Sequence, residues 1–213
     1  MADPDNSMAA DDGQVILKIS QSLARLIRGS IPELQAESAV VFDSPAEMDG
    51  HEQNRLSLYL YQIEINPWLR NQPGTLTRRP AGAGQPAGLV RQAPALPVDL
   101  IYMMVPYGRS SEIELVLINK LVRLFHDVPA LEGPLLDPAV RALGNQSIAI
   151  VPQEESQHQM RDLWAGFPGK SYKITRLYRL SPVQLPSTLS AGVEMVEHAD
   201  AHLASRPREE ARP

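Results

Sequence analysis

The sequence predicts an α+β domain: a mixed β-sheet of about four to five strands, with helices packed mainly on one face. The first observation is the order of elements, α-β-β-β-α-β-α-β, which lacks the regular strand–helix alternation of a parallel sheet. The second is that two segments, Leu56–Ile65 and Pro97–Tyr107, are apolar at odd and even positions alike. Side chains alternate faces along a strand, so both strands need cover above and below. The third is a long apolar run after Ser111 with helical spacing, which reads as a deeply buried helix.

Taken in order, Asp12 suits the N-cap of a first helix running to about Arg28. Val15, Ile16, Ile19, Leu23, Leu26 and Ile27 share one face, and Gly29 suits the exit. Ser38–Asp43 reads as a short strand, followed by a polar turn. In the second strand Leu56, Leu58 and Leu60 point one way and Tyr59, Tyr61, Ile63 and Ile65 the other; the chain then runs out through Asn66-Pro67-Trp68. Pro97 and Pro106 bracket the third strand. Ser111 and Glu114 form a capping box for the next helix, and Pro129 blocks its continuation. Its apolar positions cover most of the circumference. Ser147–Pro152 is a short strand, and a third helix carrying Met160, Leu163 and Trp164 ends at Gly166.

Ser171–Leu180 closes the domain as a strand, with Tyr172, Ile174, Tyr178 and Leu180 largely on one face. Pro182 and Pro186 keep the next segment from being a central strand, and a weak helix is expected near Ala191–Leu203. The chain thus divides into an acidic arm, 1–11, one domain, 12–180, and a tail, 181–213.

Composition narrows the chemistry. Apolar residues make up 43% and charged residues 21% of the 213, ordinary values for a folded soluble chain. No run approaches the roughly 18 apolar residues of a membrane span, so no direct membrane insertion is expected. The opening "MADPDNSMAADDG" has no basic region ahead of an apolar core, so it does not read as a secretory signal, and the expected location is the cytoplasm. With no cysteine there is no disulfide, thiolate metal site or cysteine nucleophile. "GKS" at Gly169–Ser171 fails as a phosphate loop: Trp164 stands where a glycine is required, and a strand rather than a helix follows. His198 and His202 are four apart, but no protease-type glutamate lies between them and the segment is polar. No G-x-S-x-G elbow is present. Neither catalytic residues, nor a metal, nor a cofactor is expected.

Charge is unevenly spread on a chain of net charge −5. Asp3, Asp5, Asp11 and Asp12 precede the first lysine, whereas between Ile65 and Val98 the only charged residues are Arg70, Arg78, Arg79 and Arg91. The stretch 66–96 is longer than loops in compact domains usually are. Three readings are open: a solvated loop, a nucleic-acid arm, and a protein-binding arm anchored by Trp68 and Arg70. A nucleic-acid arm calls for more lysines or stacking aromatics. Trp and Arg are the residue types that dominate binding hot spots. On the third reading the contact set is Trp68, Arg70, Asn71, Arg78, Arg79 and Arg91.

Four blocks carry a resemblance to a known family. "LYLYQIEINPWLRN" looks like an aromatic strand leading to an Asn-x-x-x-Arg-Asn exit, and "LPVDLIYMMVPYG" like a second long strand with an Asp-Leu-x-Tyr core. "EIELVLINKLVRLFHDVPALEG" resembles an amphipathic helix ending in a His/Asp-x-Pro-x-Leu turn, and "LWAGFPGKSYKITRLYRL" a Leu-Trp helix end with a final Ser-Tyr-Lys strand. Together they resemble the tail-terminator or cap proteins of extracellular contractile injection systems of the virulence-cassette and antifeeding-prophage type. "PGKS" stands where that family usually has Arg-Pro-Ser. The resemblance implies a phage tail-terminator-like fold and a structural role. In that role a ring at the distal end of a contractile tail, expected to be a homohexamer, stops growth of the inner tube and couples it to the last sheath layer. Another ring-forming adaptor, at the neck or connector, is the alternative; an unrecognised hydrolase has less support. The implied partners are a second copy of the chain, the inner tube protein and the sheath protein, with no nucleic acid. The implied sheath contacts lie on the last strand and tail: Tyr172, Ile174, Tyr178, Leu180, Val183 and Leu185. A sheet apolar on both faces would then take its second cover from neighbouring subunits.

Overall fold

The computed structural model describes residues 12–48, 53–79 and 88–193. The acidic arm 1–11, the centre of the polar turn, residues 80–87 and everything from 194 onward lie outside the described residues, the His198/His202 pair and most of the expected C-terminal helix among them.

The first helix, α1 (Val15–Ser30), comes after a 3-10 turn at Asp12–Gln14, so Gln14 rather than Asp12 stands at its N-cap. It passes through Gly29 and ends where Ile31 turns extended, at φ −114° and ψ 105°. Pro32 forces that conformation on the residue before it. The expected strand at 38–43 shrinks to β1 (Val40–Val41), because Glu37–Ala39 close into a 3-10 turn. Then come β2 (Arg55–Ile65), β3 (Thr75–Arg79), β4 (Gly88–Gln92), β5 (Leu96–Tyr107) and α2 (Ser111–Asp127). The chain continues through β6 (Ala130–Glu132), α3 (Pro138–Ala142), β7 (Ser147–Gln153), α4 (Gln157–Ala165), β8 (Arg176–Leu185) and β9 (Ser190–Val193).

These elements form two compact units. Met1–Gln72 with Ala95–Ser187 is the first; Pro73–Pro94 with Thr188–Pro213 is the second. The first holds a six-stranded mixed sheet in the order β1-β2-β5-β8-β7-β6, and the second a three-stranded sheet, β3-β4-β9. The strand number therefore exceeds the expected four to five. The long loop is also corrected: within the stretch between β2 and β5, β3 and β4 pair antiparallel, and β4 pairs with β9 from the expected tail.

In the first unit β5 is central, antiparallel to β2 on one side and β8 on the other. Its even-numbered residues Leu100, Tyr102 and Met104 face α1 and α2, which contribute Ile19, Leu23, Ile27, Leu117, Leu121 and Phe125. Tyr102 is fully buried, with its hydroxyl 2.7 Å from Ser20 Oγ, and the rings of Phe125 and Tyr178 meet edge-on at 4.6 Å. On the opposite face Met103, Val105, Tyr107 and Leu177 pack with Trp164, Met160 and Phe167, in and just after α4. The second cover is thus supplied by the chain itself around the middle of the sheet, which corrects the expectation that neighbours provide it. Most helical cover still lies on the first face.

Three further expectations shift by a residue or a strand. Ser110, not Ser111, caps α2, accepting a hydrogen bond from the Ile113 N–H. That helix buries only one face (Leu117, Ile118, Leu121, Leu124 and Phe125), leaving Leu115, Val116 and Val122 exposed. The last strand begins at Arg176 instead of Ser171 and runs on through Pro182 to Leu185, between β5 and β7. Proline is tolerated there because β7 pairs no further than Ser181, so the missing N–H falls where one side has no strand to receive it.

Two measurements test this packing. Ending the chain after Leu180 removes buried Val183 and the paired hydrogen bonds between Asn145 and Gln184 (3.0 and 2.7 Å). Urea unfolding should show a loss of at least about 3 kcal/mol, whereas ending after Ser187 should cost the first unit no more than about 0.5 kcal/mol. Separately, burial raises the Tyr102 phenol from 10.0 to about 12 against the Ser20 hydrogen bond, and burial followed by nearby Glu114 raises Tyr107 to about 12. A pKa raised by folding stabilises fully below the unfolded value and is lost as pH climbs through the folded one. Stability should therefore fall between about pH 10 and 12, and more shallowly in Tyr102→Phe.

Candidate assembly interface

The strand β2 loses its simple alternation at Tyr61. Leu60 lies opposite Tyr102 but Gln62 opposite Ile101, so one residue is extra on β2. A β-bulge of this kind moves every later side chain to the other face. Ile63 and Ile65 therefore join the face of Leu56, Leu58 and Leu60, contrary to the simple strand reading, and opposite positions bring Gln62 and Glu64 to the second face beside Ile101 and Asp99. Both isoleucines are 50% exposed, being past the cover of the helices.

At that end of the sheet a polar network takes the place of apolar packing on the second face, while Val98 and Val183 stay buried on the first. Asp99, 5% exposed, accepts hydrogen bonds from Asn66 Nδ2 (3.1 Å) and Ser181 Oγ (2.6 Å) on Oδ1, and from Arg179 Nη1 (3.0 Å) on Oδ2. Arg179 also meets Glu64 Oε2 at 3.1 Å and donates to Gln153 Oε1 at 3.3 Å. Four strands (β2, β5, β7 and β8) and the residue after β2 are tied through one carboxylate and one guanidinium. A buried carboxylate is tolerable only when its lone pairs are satisfied this fully.

The network reaches the surface through Asn66. Its backbone N–H donates to the Pro97 carbonyl at 2.9 Å, and its Oδ1 accepts from the N–H groups of Trp68 (3.1 Å) and Leu69 (3.2 Å). The turn after β2 is therefore pinned at both backbone and side chain. On it Trp68 is 90% exposed, with Arg70 and Asn71 exposed beside it. A rigid backbone presenting a large bare aromatic loses little entropy on docking, which is the physical profile of a binding anchor.

The expected contact residues fall into different places. Trp68, Arg70 and Asn71 share this turn in the first unit; Arg78 and Arg79 on β3 and Arg91 on β4 belong to the second. Of the expected sheath set, Tyr178, Leu180 and Val183 are buried in the first-face core and cannot reach a partner surface, because β8 lies inside the sheet rather than at its edge. Leu185 is half-buried. Tyr172, 63% exposed, and Ile174 remain on the surface in the extended segment before β8.

A groove of about 790 Å³ that no sequence pattern announces lies along α4, walled by Glu155, Met160, Trp164, Tyr172 and Arg176. The Trp164 and Tyr172 rings are 5.6 Å apart, and Trp164 Nε1 donates to Thr175 Oγ1 at 3.1 Å. Among the described residues no group of three or more His, Cys, Asp or Glu side chains is placed to hold a metal, and no helix is long and apolar enough to cross a membrane.

A family model described as the Pvc16 N-terminal domain matches residues 18–197. The chain belongs to this family. Among solved structures, this Pvc16 N-terminal domain chain is similar to the PVC sheath/tube terminator of an extracellular contractile injection system in its extended state, at 15% identity and a TM-score of 0.58. That likeness covers 89% of this chain and 64% of the terminator. It is likewise similar to the tube-terminating cap of the anti-feeding prophage, at 14% identity and a TM-score of 0.56, covering 87% of this chain and 60% of that one. The chain thus spans less than two thirds of the length of either, and what they share with it is the fold. No curated protein matches it.

If the Asn66 turn is the pinned platform described, stability and presentation should separate. Trp68→Ala should change the unfolding free energy by no more than about 0.5 kcal/mol, while Asp99→Ala, which takes the acceptor from Asn66 Nδ2 and Ser181 Oγ and one of the two carboxylates from Arg179, should cost at least about 2 kcal/mol. Urea titration of both variants checks this.

Proposed function

We propose that this chain is a tube and sheath terminator of a phage-tail-like contractile injection particle. Repeated copies form a ring on the last layer of the inner tube, stop its growth and join it to the last layer of sheath. The observation that carries this reading is the family match over residues 18–197, supported by the fold shared with two terminating proteins. The bare Trp68 on a pinned turn supports it independently, since a structural ring subunit needs rigid anchors rather than a reactive centre. Head-to-tail contacts must close to avoid growing into filaments, and of the closed rings we favour the sixfold one that the resemblance to the cap family implies. The work done is positional: no bond is made or broken. The protein is then made in the cytoplasm and ends in the particle.

In the contact map we propose, Trp68, Arg70 and Asn71 meet the tube or the adjacent subunit, and Tyr172 and Ile174 meet the sheath. Assembly of tube and sheath proteins with this chain, followed by electron microscopy of particle ends, tests the reading. Wild type should leave a ring at one end and a narrow length distribution. Trp68→Ala with Arg70→Ala should weaken docking by more than about 2 kcal/mol and broaden tube lengths while the variant stays folded. Bare distal ends with the wild-type chain present in solution would sink the proposal.

A further inference from the structure

Three strands need a covered apolar face to be stable. In the β3-β4-β9 sheet none of the residues whose burial is described, 75–77 and 88–92, is buried: Leu76 is 57% exposed, Thr75, Thr77 and Arg91 are exposed, and Leu89 and Val90 are half-buried. Register sets Leu76 opposite Arg91 and Arg78 opposite Leu89, so two leucine and two arginine positions share one face. From Pro73 to Pro94 the chain carries Arg78, Arg79 and Arg91 and no acidic residue. Among the described residues of this sheet every charge is positive.

The matching charge occurs in the same chain. Asp3, Asp5, Asp11 and Asp12 precede any basic residue, and residues 1–11, which lie outside the described residues, can span at most about 36–40 Å when extended. We propose that the acidic segment 1–12 of one copy docks on the Leu76/Arg78/Leu89/Arg91 face of the β3-β4-β9 sheet of a second copy. The proposal rests on the ring reading, because a head-to-tail contact needs two different surfaces on each subunit and these two supply them. Met1 and Met8 provide apolar contacts for Leu76 and Leu89, and the aspartates meet the arginines. The arm adds a link between subunits that is strong at low ionic strength and screened as the Debye length shrinks.

The test uses the full chain in two variants. One carries Asp3→Asn, Asp5→Asn, Asp11→Asn and Asp12→Asn; the other carries Arg78→Glu, Arg79→Glu and Arg91→Glu. A fluorescent peptide of residues 1–13 should bind the aspartate-neutralised chain, at least tenfold more weakly at about 500 mM than at about 50 mM salt, and at least tenfold more weakly still to the arginine-reversed chain. Mixing the two variants at low salt should give a one-to-one complex that neither forms alone, since only the mixture pairs an intact arm with an intact sheet. No peptide binding at low salt overturns the proposal, as does equal binding by the arginine-reversed chain. Arginine-dependent binding of an oligonucleotide with no binding of the peptide overturns it in favour of a nucleic-acid surface. Rings at tube ends without peptide binding remove only the arm contact; peptide binding with bare tube ends removes the capping reading and leaves the arm.

Discussion

The interior of β5 is the constraint on which the first unit depends. Eleven of its twelve residues are buried, so it must be covered on both faces and paired on both edges before anything else can settle. Helices α1 and α2 answer for one face, α4 for part of the other, and β2 and β8 for the edges. What this cover leaves exposed is apolar in two places: Leu115, Val116 and Val122 on the outer face of α2, and Ile63 and Ile65 where β2 runs past the helices.

On its second face the sheet stops being apolar at a definite place, while Val98 and Val183 carry the first-face core on. Where β5 reaches Asp99 it has a register shift toward β8, and β2 is already one residue out of step with it. Burying a carboxylate there is costly unless it is paired, and removing either partner strands the other. What the network secures is geometry: the same carboxylate orders the asparagine whose side chain holds the Trp68 turn. Packing strength at the centre is thereby converted into a fixed position at the surface, several residues away in sequence.

Much of this was legible from residue types. The two-faced strands stand where Leu56–Ile65 and Pro97–Tyr107 place them, the helix after Ser110 starts within a residue of its expected cap, and the helix carrying Trp164 ends at Gly166. What was not legible depends on pairing. Alternation says which residues share a face only while the register holds, so the bulge at Tyr61 reassigned Ile63 and Ile65. Two prolines looked like the end of a strand because sequence does not show that β7 stops pairing at Ser181. Glycine and proline between β2 and β5 looked like a loop because the partner strand that organises them, Ser190–Val193, lies far downstream in the chain. The Trp68 cluster was visible as a set of binding-type residues, but its anchor was not, since nothing local links Asn66 to Asp99.

The pairing of β1 has a consequence for the edge of the sheet. Its two residues cover only Leu56 and Ser57, so from Leu58 to Ile65 the outer edge of β2 has no strand beside it among the described residues. Natural edges are usually blunted by charge, proline, brevity or a bulge; this one is long and mostly aromatic and aliphatic, interrupted by the bulge and by Gln62 and Glu64 beyond it. The bulge divides the edge into two runs whose backbone groups face outward in different phase. A strand laid against the first run cannot continue in register along the second. The edge thereby resists the open-ended stacking that turns sheets into fibres, while leaving each short run able to accept a matching segment. An unguarded edge, broken once, limits its own growth.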